Sequence, residues 1–507
     1  MLSRSKLVVA ALLGALSLAG AAGAEGTARV EKDLLGEKTL PAEAYYGVQT
    51  ARALENFRIS GVSIDTWPEF VDALVLVKLA AARANVDLGA LEKQKLGAIE
   101  DAGAAILDGR FHEQFRVDWY QGGAGTSANM NVNEVMANVA LEFMGRPKGD
   151  YATIDPHDDL NGGQSTNDVF PTALKVAFVI RNDPLVASVD ALAVAFRIKG
   201  AEYLRTVKMG RTELQDAVPM TVGQELHAFA AALEAESALL REAEKSLFPV
   251  NLGGTAIGTG LNAPKGFAKA SARHLAKLTG KPFAPAGDLL AATWNLHGFL
   301  VYANALRSLS ATLSKISSDL ILLASGPRAG LNELILPPLQ PGSSIMPGKV
   351  NPVMPEVLNL VSMRVAGNAH AVELAARSGQ LQLNAYEPLV GVAVLESQAL
   401  LQNTLALFRA QCIEGLGVNE ATLQRHLAET VGIVTALNPI IGYDRATELA
   451  AEAYATDRGL LEIVRERRIL TEQQIRDMLA PEKLTGVDAR AYPSAKQLEQ
   501  RRSALSK

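Results

Sequence analysis

The chain has 507 residues, of which 48% are hydrophobic, 20% charged and 5% aromatic. This length exceeds the usual domain size several-fold and the apolar content is enough for large cores, so the composition excludes both a small module and a disordered chain. The formal net charge is −5, with 49 Lys and Arg against 54 Asp and Glu, so no cationic excess is available to neutralise a nucleic-acid backbone.

The N-terminus has the layout of a secretory signal. A basic start leads into an apolar stretch from Leu7 to Leu18 and then into small residues that end at Ala24. That stretch is shorter than the roughly 20 residues that a membrane span needs. We therefore expect residues 1–24 to be a cleaved signal peptide and the protein to be exported, with a periplasmic location. A retained anchor and an N-terminal helix of the fold are the alternatives.

Long helices are predicted along the middle of the chain. The strongest pattern is a coiled-coil seam with spacings of three and four, formed by Leu306, Leu309, Leu313, Ile316, Leu320 and Leu323. A similar register begins at Leu226, and a third candidate runs from Val353 toward Ala376. Helices of this length indicate a bundle, and the scarcity of alternating patterns predicts no substantial sheet. We expect several subunits to share one helical core; a monomer whose helices bury one another is the alternative.

Two kinds of site are poorly supported by the sequence. The glycine-rich run 253–260 lacks the Gly-Lys-Ser/Thr ending of a phosphate-binding loop and follows no clear strand, so we predict a tight connection there. The seven His residues form no ligand pattern and Cys412 is the single cysteine, so we assign no catalytic metal and no cofactor. Activation by Mg²⁺ is left open.

The most informative loop is Gly342 to Pro352, which contains two hinge glycines, two hydroxyls, a lysine and an amide. Such a loop could close over an anion. Ser343 could act as a nucleophile or a base if cations and backbone N–H groups stabilised its alkoxide. No His or Asp follows at nucleophile-elbow spacing, so a hydrolase triad is not indicated. The alternative is an ordinary Pro/Gly turn.

Three further segments combine small hydroxyl and amide groups, namely residues 125–133, 164–168 and 210–216. Each could bind a carboxylate or an amine. Clusters of Ser, Thr and Asn before a helix usually serve as N-caps, and helix N-termini also attract anions. Capping and carboxylate binding are therefore compatible roles for these segments.

Taken together, these segments closely resemble the fumarase/aspartase superfamily, whose signature loop is similar to residues 342–352 nearly letter for letter. The resemblance runs from about Leu34 to Asn438-Pro439. It implies an all-α fold of three domains, with a long central helical bundle that forms a homotetramer core and active sites that draw on three subunits. We expect an N-terminal lyase domain at 25–163, a central bundle domain at 164–420 and a small C-terminal helical domain at 421–507.

Within the superfamily, several positions resemble enzymes that remove ammonia from L-aspartate. Thr166 stands where fumarases usually repeat Ser, and Asn332, the stretch 379–384 and Glu387 also look like aspartase. Glu213 stands where the fumarase pattern has His, and a carboxylate there would attract an ammonium but repel a departing hydroxide. We expect aspartate ammonia-lyase activity. A class II fumarase, an altered amino-diacid preference and an inactive exported scaffold are the alternatives.

The resemblance also implies roles for individual residues. Ser343 matches the catalytic base, and Lys349 lends it positive potential. The groups that match binders of the reacting carboxylate are Thr126, Ser165, Thr166 and Ser344. The groups expected at the α-carboxylate are Lys349, Asn351 and Thr212, while Asn167 and Glu213 are expected to position the ammonium. The implied partners are L-aspartate, fumarate and further copies of this chain, with no nucleic acid and no membrane.

Overall fold

Helices make up most of the chain in the computed structural model, which describes residues 28–505. The predicted signal peptide at 1–24 lies outside these residues. The helices in chain order are α1 Val48–Asn56, α2 Pro68–Asp87, α3 Lys93–Leu107, α4 Thr126–Phe143, α5 Thr166–Glu202, α6 Val222–Glu244, α7 Phe267–Thr279, α8 Leu289–Trp294, α9 His297–Leu323, α10 Val353–Arg377, α11 Glu387–Phe408, α12 Glu420–Glu429, α13 Val434–Ile441, α14 Tyr443–Thr456, α15 Leu460–Glu466, α16 Glu472–Met478, α17 Pro481–Thr485 and α18 Ala495–Leu505.

Strands occur within the described range only as two-stranded pairs. The strands are β1 Ala28–Asp33, β2 Gly36–Pro41, β3 Val207–Thr212, β4 Gln215–Thr221, β5 Pro249–Val250, β6 Ala284–Pro285, β7 Leu334–Ile335 and β8 Gly417–Val418. The pairs β1–β2, β3–β4 and β7–β8 are antiparallel, whereas β5–β6 is parallel. The expected all-α class is therefore confirmed.

The long helices α5, α6, α9, α10 and α11 pack against one another as a bundle. All six residues of the predicted seam on α9 are buried, and α10 begins and ends close to its predicted limits. Helix α6 begins with a capping box, in which Gln224 N donates to Thr221 Oγ1 and Thr221 N donates to Gln224 Oε1. The helical spacing of apolar residues in the sequence therefore indicates which side chains of α9 form the core of the bundle.

The main hydrophobic core is continuous from the N-terminal helices into the bundle, and it includes residues from Ala53 to Leu423. Helices α13 to α16 bury a second, smaller core, which includes Ile433, Leu449 and Ile475. The proposed boundaries at 163/164 and 420/421 stay predictions. Over residues 28–505, no helix is long and apolar enough to cross a membrane.

Apolar side chains remain exposed on the outer face of α10, where Leu360 is 66% and Met363 is 67% exposed. The opposite face of the same helix buries Leu358 and Val365. A helix that is apolar on both sides is typical of a bundle that continues into another subunit. The homotetramer stays a prediction.

Candidate active site

The N-termini of α4 and α5 lie side by side. Thr126 is the first residue of α4 and Thr166 is the first residue of α5. Asn129, one turn after Thr126, donates from Nδ2 to Thr166 Oγ1 at 3.1 Å and joins the two helix ends. A Cβ at Gly125 would lie 2.2 Å from Phe170, so only glycine allows this approach. Two helix N-termini that face the same region form an anion-attracting surface.

The start of α5 is fixed by a second capping box. Ser165 Oγ accepts from Asn167 N at 3.3 Å, and Ser165 N donates to Asp168 Oδ1 at 3.0 Å. Asn167 Nδ2 donates to the carbonyl of Ala256 at 2.7 Å. The hydroxyls of Ser165 and Thr166 are partly exposed beside these bonds. The predicted N-cap role of this segment is therefore present, and its hydroxyl O–H groups are available to donate to an anion.

Burial shapes the electrostatics beneath this surface. Asp168 is buried, and its Oδ2 accepts from the backbone N–H groups of Gly253 and Thr255 at 2.9 and 2.8 Å. Burial raises the pKa of Asp168 to about 7, although these hydrogen bonds and Lys78 act against the shift. The glycine-rich run thus forms turns, as predicted, and supports the end of α5 through its backbone.

Lys78 belongs to the polar network beneath the starts of α4 and α5, and it was not predicted from the sequence. It is fully buried on α2, and its Nζ donates to Asn161 Oδ1 at 2.9 Å and to Gln164 Oε1 at 3.0 Å. Asn129 Nδ2 donates to the same Asn161 oxygen at 3.1 Å. Burial lowers the pKa of Lys78 to about 7, against the attraction of Asp168. A lone lysine inside the apolar run of residues 74–82 was the available signal.

Thr212 and Glu213 lie at the tip of the β3–β4 hairpin, and both are exposed. The two turn residues, Glu213 and Leu214, have φ of 52° and 64°, which is the left-handed region that L-residues rarely adopt. This is the backbone of a primed turn, whose twist matches the flanking strands. Among the described residues, neither the Thr212 nor the Glu213 side chain has a hydrogen-bond or ion-pair partner, although the backbone of Thr212 pairs with Gln215 in the hairpin. The hairpin therefore presents both side chains to solvent.

The loop at 342–352 closes on itself. Gly342 N donates to the carbonyl of Lys349 at 2.6 Å, and Asn351 Nδ2 donates to the carbonyl of Gly342 at 3.0 Å. Inside this closure, Ser343 Oγ accepts from Ile345 N at 3.2 Å and from Met346 N at 3.0 Å. Two N–H donors on one hydroxyl oxygen stabilise its alkoxide. The geometry therefore suits Ser343 to act as a base.

The same loop exposes polar and apolar groups together. Ser344 and Lys349 are exposed, and Ile345 is 83% exposed. Met346 and Val350 are also about half exposed. Apolar side chains so far out in solvent on a loop indicate a surface that packs against another part of an assembly or closes over a ligand.

Three positions that favoured an aspartase serve the backbone or the core here. Asn332 adopts a φ of 51° in the turn before β7. Asn384 Nδ2 donates to the carbonyl of Ala375 at 2.9 Å, near the end of α10. Glu387 is buried at the start of α11, where burial raises its pKa well above the usual range against the opposing charge of Lys175. These side chains shape the scaffold.

The ten candidate residues fall into three groups within one chain. The first is the paired helix ends with Thr126, Ser165, Thr166 and Asn167; the second is the hairpin tip with Thr212 and Glu213; the third is the loop with Ser343, Ser344, Lys349 and Asn351. Across residues 28–505, no hydrogen bond or ion pair joins one group to another. These bonds therefore do not show whether the three groups form one site, and their convergence in a pocket shared between subunits stays a prediction.

The described residues contain no group of three or more His, Cys, Asp or Glu side chains arranged to hold a metal ion.

Two family models match the chain. A model described as Lyase matches residues 36–367, which is more than half of the sequence. A model described as Fumarase C C-terminus matches residues 433–486, and this range contains most of the second, smaller core.

Two similar curated proteins are aspartate ammonia-lyases. An aspartate ammonia-lyase from Pseudomonas aeruginosa is 51% identical over 459 residues, which is 90% of this chain and 97% of that protein. The aspartate ammonia-lyase of Escherichia coli K12 is 47% identical over 457 residues, which is 90% of this chain and 96% of that enzyme.

Solved structures show the same fold. A fumarate lyase:delta crystallin structure from Brucella melitensis, bound to cobalt, matches with a TM-score of 0.88 and 46% identity, covering 92% of this chain and all of that one. A class II fumarase from Schistosoma mansoni matches with a TM-score of 0.86 and 34% identity, covering 91% of this chain and all of that one.

Proposed function

Because the chain belongs to the fumarase/aspartase superfamily of lyases, we propose that it is an aspartate ammonia-lyase, which converts L-aspartate reversibly into fumarate and ammonia. The proposal is supported by relatives of that name at 45% to 51% identity. It is also supported by Glu213, whose carboxylate suits an ammonium group better than a departing hydroxide.

The observation that carries the chemistry is the pair of backbone N–H donors on Ser343 Oγ. As an alkoxide, this oxygen removes a proton from C3 of aspartate, next to the β-carboxylate. The proton moves to Oγ, and the electron pair of the C–H bond moves into the carboxylate and forms an aci-carboxylate dianion. The N–H donors lower the cost of holding Ser343 as a base in a site without free water.

The dianion must be stabilised more strongly than the carboxylate of the substrate for the reaction to accelerate. The paired N-termini of α4 and α5 are suited to this, because the partial positive charge of the two helix ends favours a second negative charge. The hydroxyls of Thr126, Ser165 and Thr166 lie at these ends, and Ser344 adds a hydroxyl from the loop. The capping box fixes Ser165 and the bond from Asn129 fixes Thr166, whereas the hydroxyl of Thr126 donates to the carbonyl of Gly123 at 2.7 Å.

The remaining groups orient the amino-acid end of the substrate. Lys349, Asn351 and Thr212 hold the α-carboxylate, and Asn167 with Glu213 holds the ammonium. When the C2–N bond breaks, its electron pair stays with nitrogen and the electrons of the dianion form the C2–C3 double bond. The nitrogen leaves as ammonia without a strong acid, because it already carries its protons.

A complete site needs more than one protomer under this proposal. No hydrogen bond or ion pair within the described part of the chain joins the three groups of candidate residues, and the exposed apolar residues of the loop and of α10 are suited to subunit contacts. We therefore propose a homotetramer whose sites are shared between subunits. We further propose export to the periplasm, which the layout of residues 1–24 supports.

The test is direct product identification. The purified protein is incubated with L-aspartate or L-malate, and fumarate is followed by its ultraviolet absorbance while ammonia is assayed separately. We expect fumarate and ammonia in equal amounts from aspartate. The second candidate is a fumarase, favoured by the match to the fumarase C-terminal model and by the class II fumarase structure. Faster fumarate formation from malate than from aspartate would establish the fumarase instead.

A further inference from the structure

The buried carboxylate of Glu333 lies where three segments of the fold meet. Glu333 directly precedes β7 and is 1% exposed. Arg211 Nη2 lies 2.7 Å from its Oε1, and Lys208 Nζ lies 3.3 Å from its Oε2. His426 Nδ1 lies 3.1 Å from Oε1. Arg211 and Lys208 belong to β3 and His426 belongs to α12; we call these four residues the Glu333 cluster.

The charge of Glu333 depends on the cluster. Burial raises the pKa of this carboxyl, but the hydrogen bond from Arg211 and the charge of Lys208 outweigh burial, so its pKa lies below the usual range. Lys208 is also buried and pairs with Glu225 on α6 at 2.8 Å. A buried ion pair that loses one partner leaves an uncompensated charge, which is strongly unfavourable. The Glu333 cluster therefore holds its segments in fixed positions, unlike a surface ion pair that exchanges partners with water.

In the β3–β4 hairpin, a bulge directs Arg211 toward the Glu333 cluster. The pairing of β3 with β4 shifts between Met209 and Arg211, and a Cβ at Gly210 would lie 2.7 Å from the carbonyl oxygen of Val218. Bulges of this kind re-aim the side chain that follows them. Thr212 comes next in the chain, and the tip beyond it has no side-chain partner within residues 28–505. The direction of the tip is therefore set by the contact of Arg211 with Glu333 and, on β4, by Asp216, which accepts from Thr430 Oγ1 at 2.6 Å.

On the loop side, Glu333 anchors the segment that leads to Ser343. Its backbone N donates to the carbonyl of Leu323 at 2.8 Å, and its carbonyl accepts from Asn419 N at 2.9 Å. The strand β7 that follows pairs with β8 before the chain enters the loop. The same residue thus ties the hairpin, α12 and the root of the Ser343 loop together.

We propose that Glu333 is a positioning residue for the lyase reaction, because its carboxylate fixes the tip of the β3–β4 hairpin relative to the root of the Ser343 loop. The inference rests on the proposed function, in which Thr212 and Glu213 contact the substrate. Loss of the carboxylate charge frees the hairpin and weakens substrate binding. The effect therefore falls mainly on KM, and the proton transfer at Ser343 is affected less.

The experiment compares Glu333→Gln with a matched control, Glu244→Gln. Glu244 is also a buried carboxylate; it pairs with Lys281 at 2.8 Å and accepts from Asn182, away from the candidate groups. Both variants lose thermal stability, but only Glu333→Gln raises KM for aspartate, by about tenfold. Glu333→Asp, which keeps the charge, recovers part of this loss. A KM within twofold of the parent for Glu333→Gln, or an equal rise for Glu244→Gln, overturns the proposal.

A milder variant covers the case in which Glu333→Gln does not fold. Arg211→Lys keeps a positive charge beside Glu333 but loses the 2.7 Å contact between Nη2 and Oε1. It should raise KM about twofold to threefold, and an unchanged KM contradicts the proposal. The parent is assayed first with aspartate and with malate. If the parent turns over malate and not aspartate, the proposed ammonia-lyase activity is wrong, but the same comparison of variants with malate still tests the role of Glu333. If the parent turns over neither substrate, both the proposed function and the proposed role of Glu333 are overturned.

Discussion

The side-chain amide of Asn129 donates to the hydroxyl of Thr166 at 3.1 Å and so connects the first turns of α4 and α5. This single bond aligns the two helix ends on which carboxylate binding is proposed. Its removal should disturb the site more than the fold, because both helices are held by extensive packing elsewhere.

Asn129→Ala should raise KM for aspartate about tenfold, at a stability cost of about 1 to 2 kcal/mol. Steady-state kinetics and urea unfolding measure the two effects. The matched control is Asn131→Ala on the same helix, which removes a buried amide that donates to the carbonyl of Gln114. Equal changes of KM in both variants would show that Asn129 has no special place in the site.

Ser343→Ala should lower kcat at least about a hundredfold, because Ser343 carries the hydroxyl oxygen that accepts two backbone N–H donors and is proposed to take up the proton. Its melting temperature should stay close to that of the parent, since Ser343 is partly exposed. Ser188→Ala, at a partly exposed serine on α5, serves as the control for a lost hydroxyl. Turnover within a few-fold of the parent would exclude Ser343 as the base.

Glu213→Gln should raise KM for aspartate several-fold without loss of stability, because the side chain is exposed and unpaired. Glu213→His should shift the ratio of malate to aspartate turnover toward malate, since a cation or neutral ring no longer repels hydroxide. Parallel assays on both substrates measure the ratio. An unchanged ratio in both variants would make Glu213 a solvated neighbour of the site.

Shared sites predict complementation between inactive variants. Ser343→Ala and Thr126→Ala each disable one group, and a mixed assembly contains sites that combine the intact loop of one subunit with the intact helix end of another. Refolding the two variants together should restore measurable activity, whereas each alone should stay inactive. Gel filtration reports the assembly. A single active protomer in solution would contradict sharing.

Acid should destabilise the protein through His227. Both of its ring nitrogens are buried without hydrogen-bond partners, and its ring stacks on Tyr492 at 4.4 Å. Burial, with a smaller contribution from Arg197, lowers its pKa to about 4. As the pH falls, the unfolded chain takes up a proton on His227 before the folded protein does. The contribution of His227 to the free energy of unfolding is therefore fully present above about pH 6.5 and is lost as the pH drops toward 4.

The measurement is the free energy of unfolding in urea at pH 7.5 and pH 4.5. His227→Phe keeps a ring against Tyr492 but cannot be protonated, so its stability should fall less between the two pH values, by about 1 to 3 kcal/mol. Other acid-sensitive groups remain in both proteins and cancel in the comparison. Identical pH dependence in parent and variant would rule out His227 as the cause.

The bundle was predictable because burial imposes a helical period on the sequence. The seam on α9 and the limits of α10 follow directly from that period. The β3–β4 hairpin was not predicted, since Glu213 and Leu214 occupy turn positions that normally hold Asn or Gly. A primed turn built from such residues carries no local signal.

The candidate site was predictable only in parts. The hydroxyls at helix starts were identified because capping follows local rules. Lys78 and Asn161 were missed, since their role depends on how α2 packs beneath α5, which spacing along the chain does not encode. The positions of the three candidate groups relative to one another were equally unpredictable, because they depend on the path of the whole backbone.

The self-closed loop at 342–352 and the proposed sharing of sites between subunits have one further consequence. If no protomer contains a complete active site, the specific activity depends on protein concentration. Dilution that dissociates the assembly would then abolish activity while every chain stays folded. A cell that expressed an intact and an inactive variant together would then form mixed assemblies whose activity depends on their subunit composition.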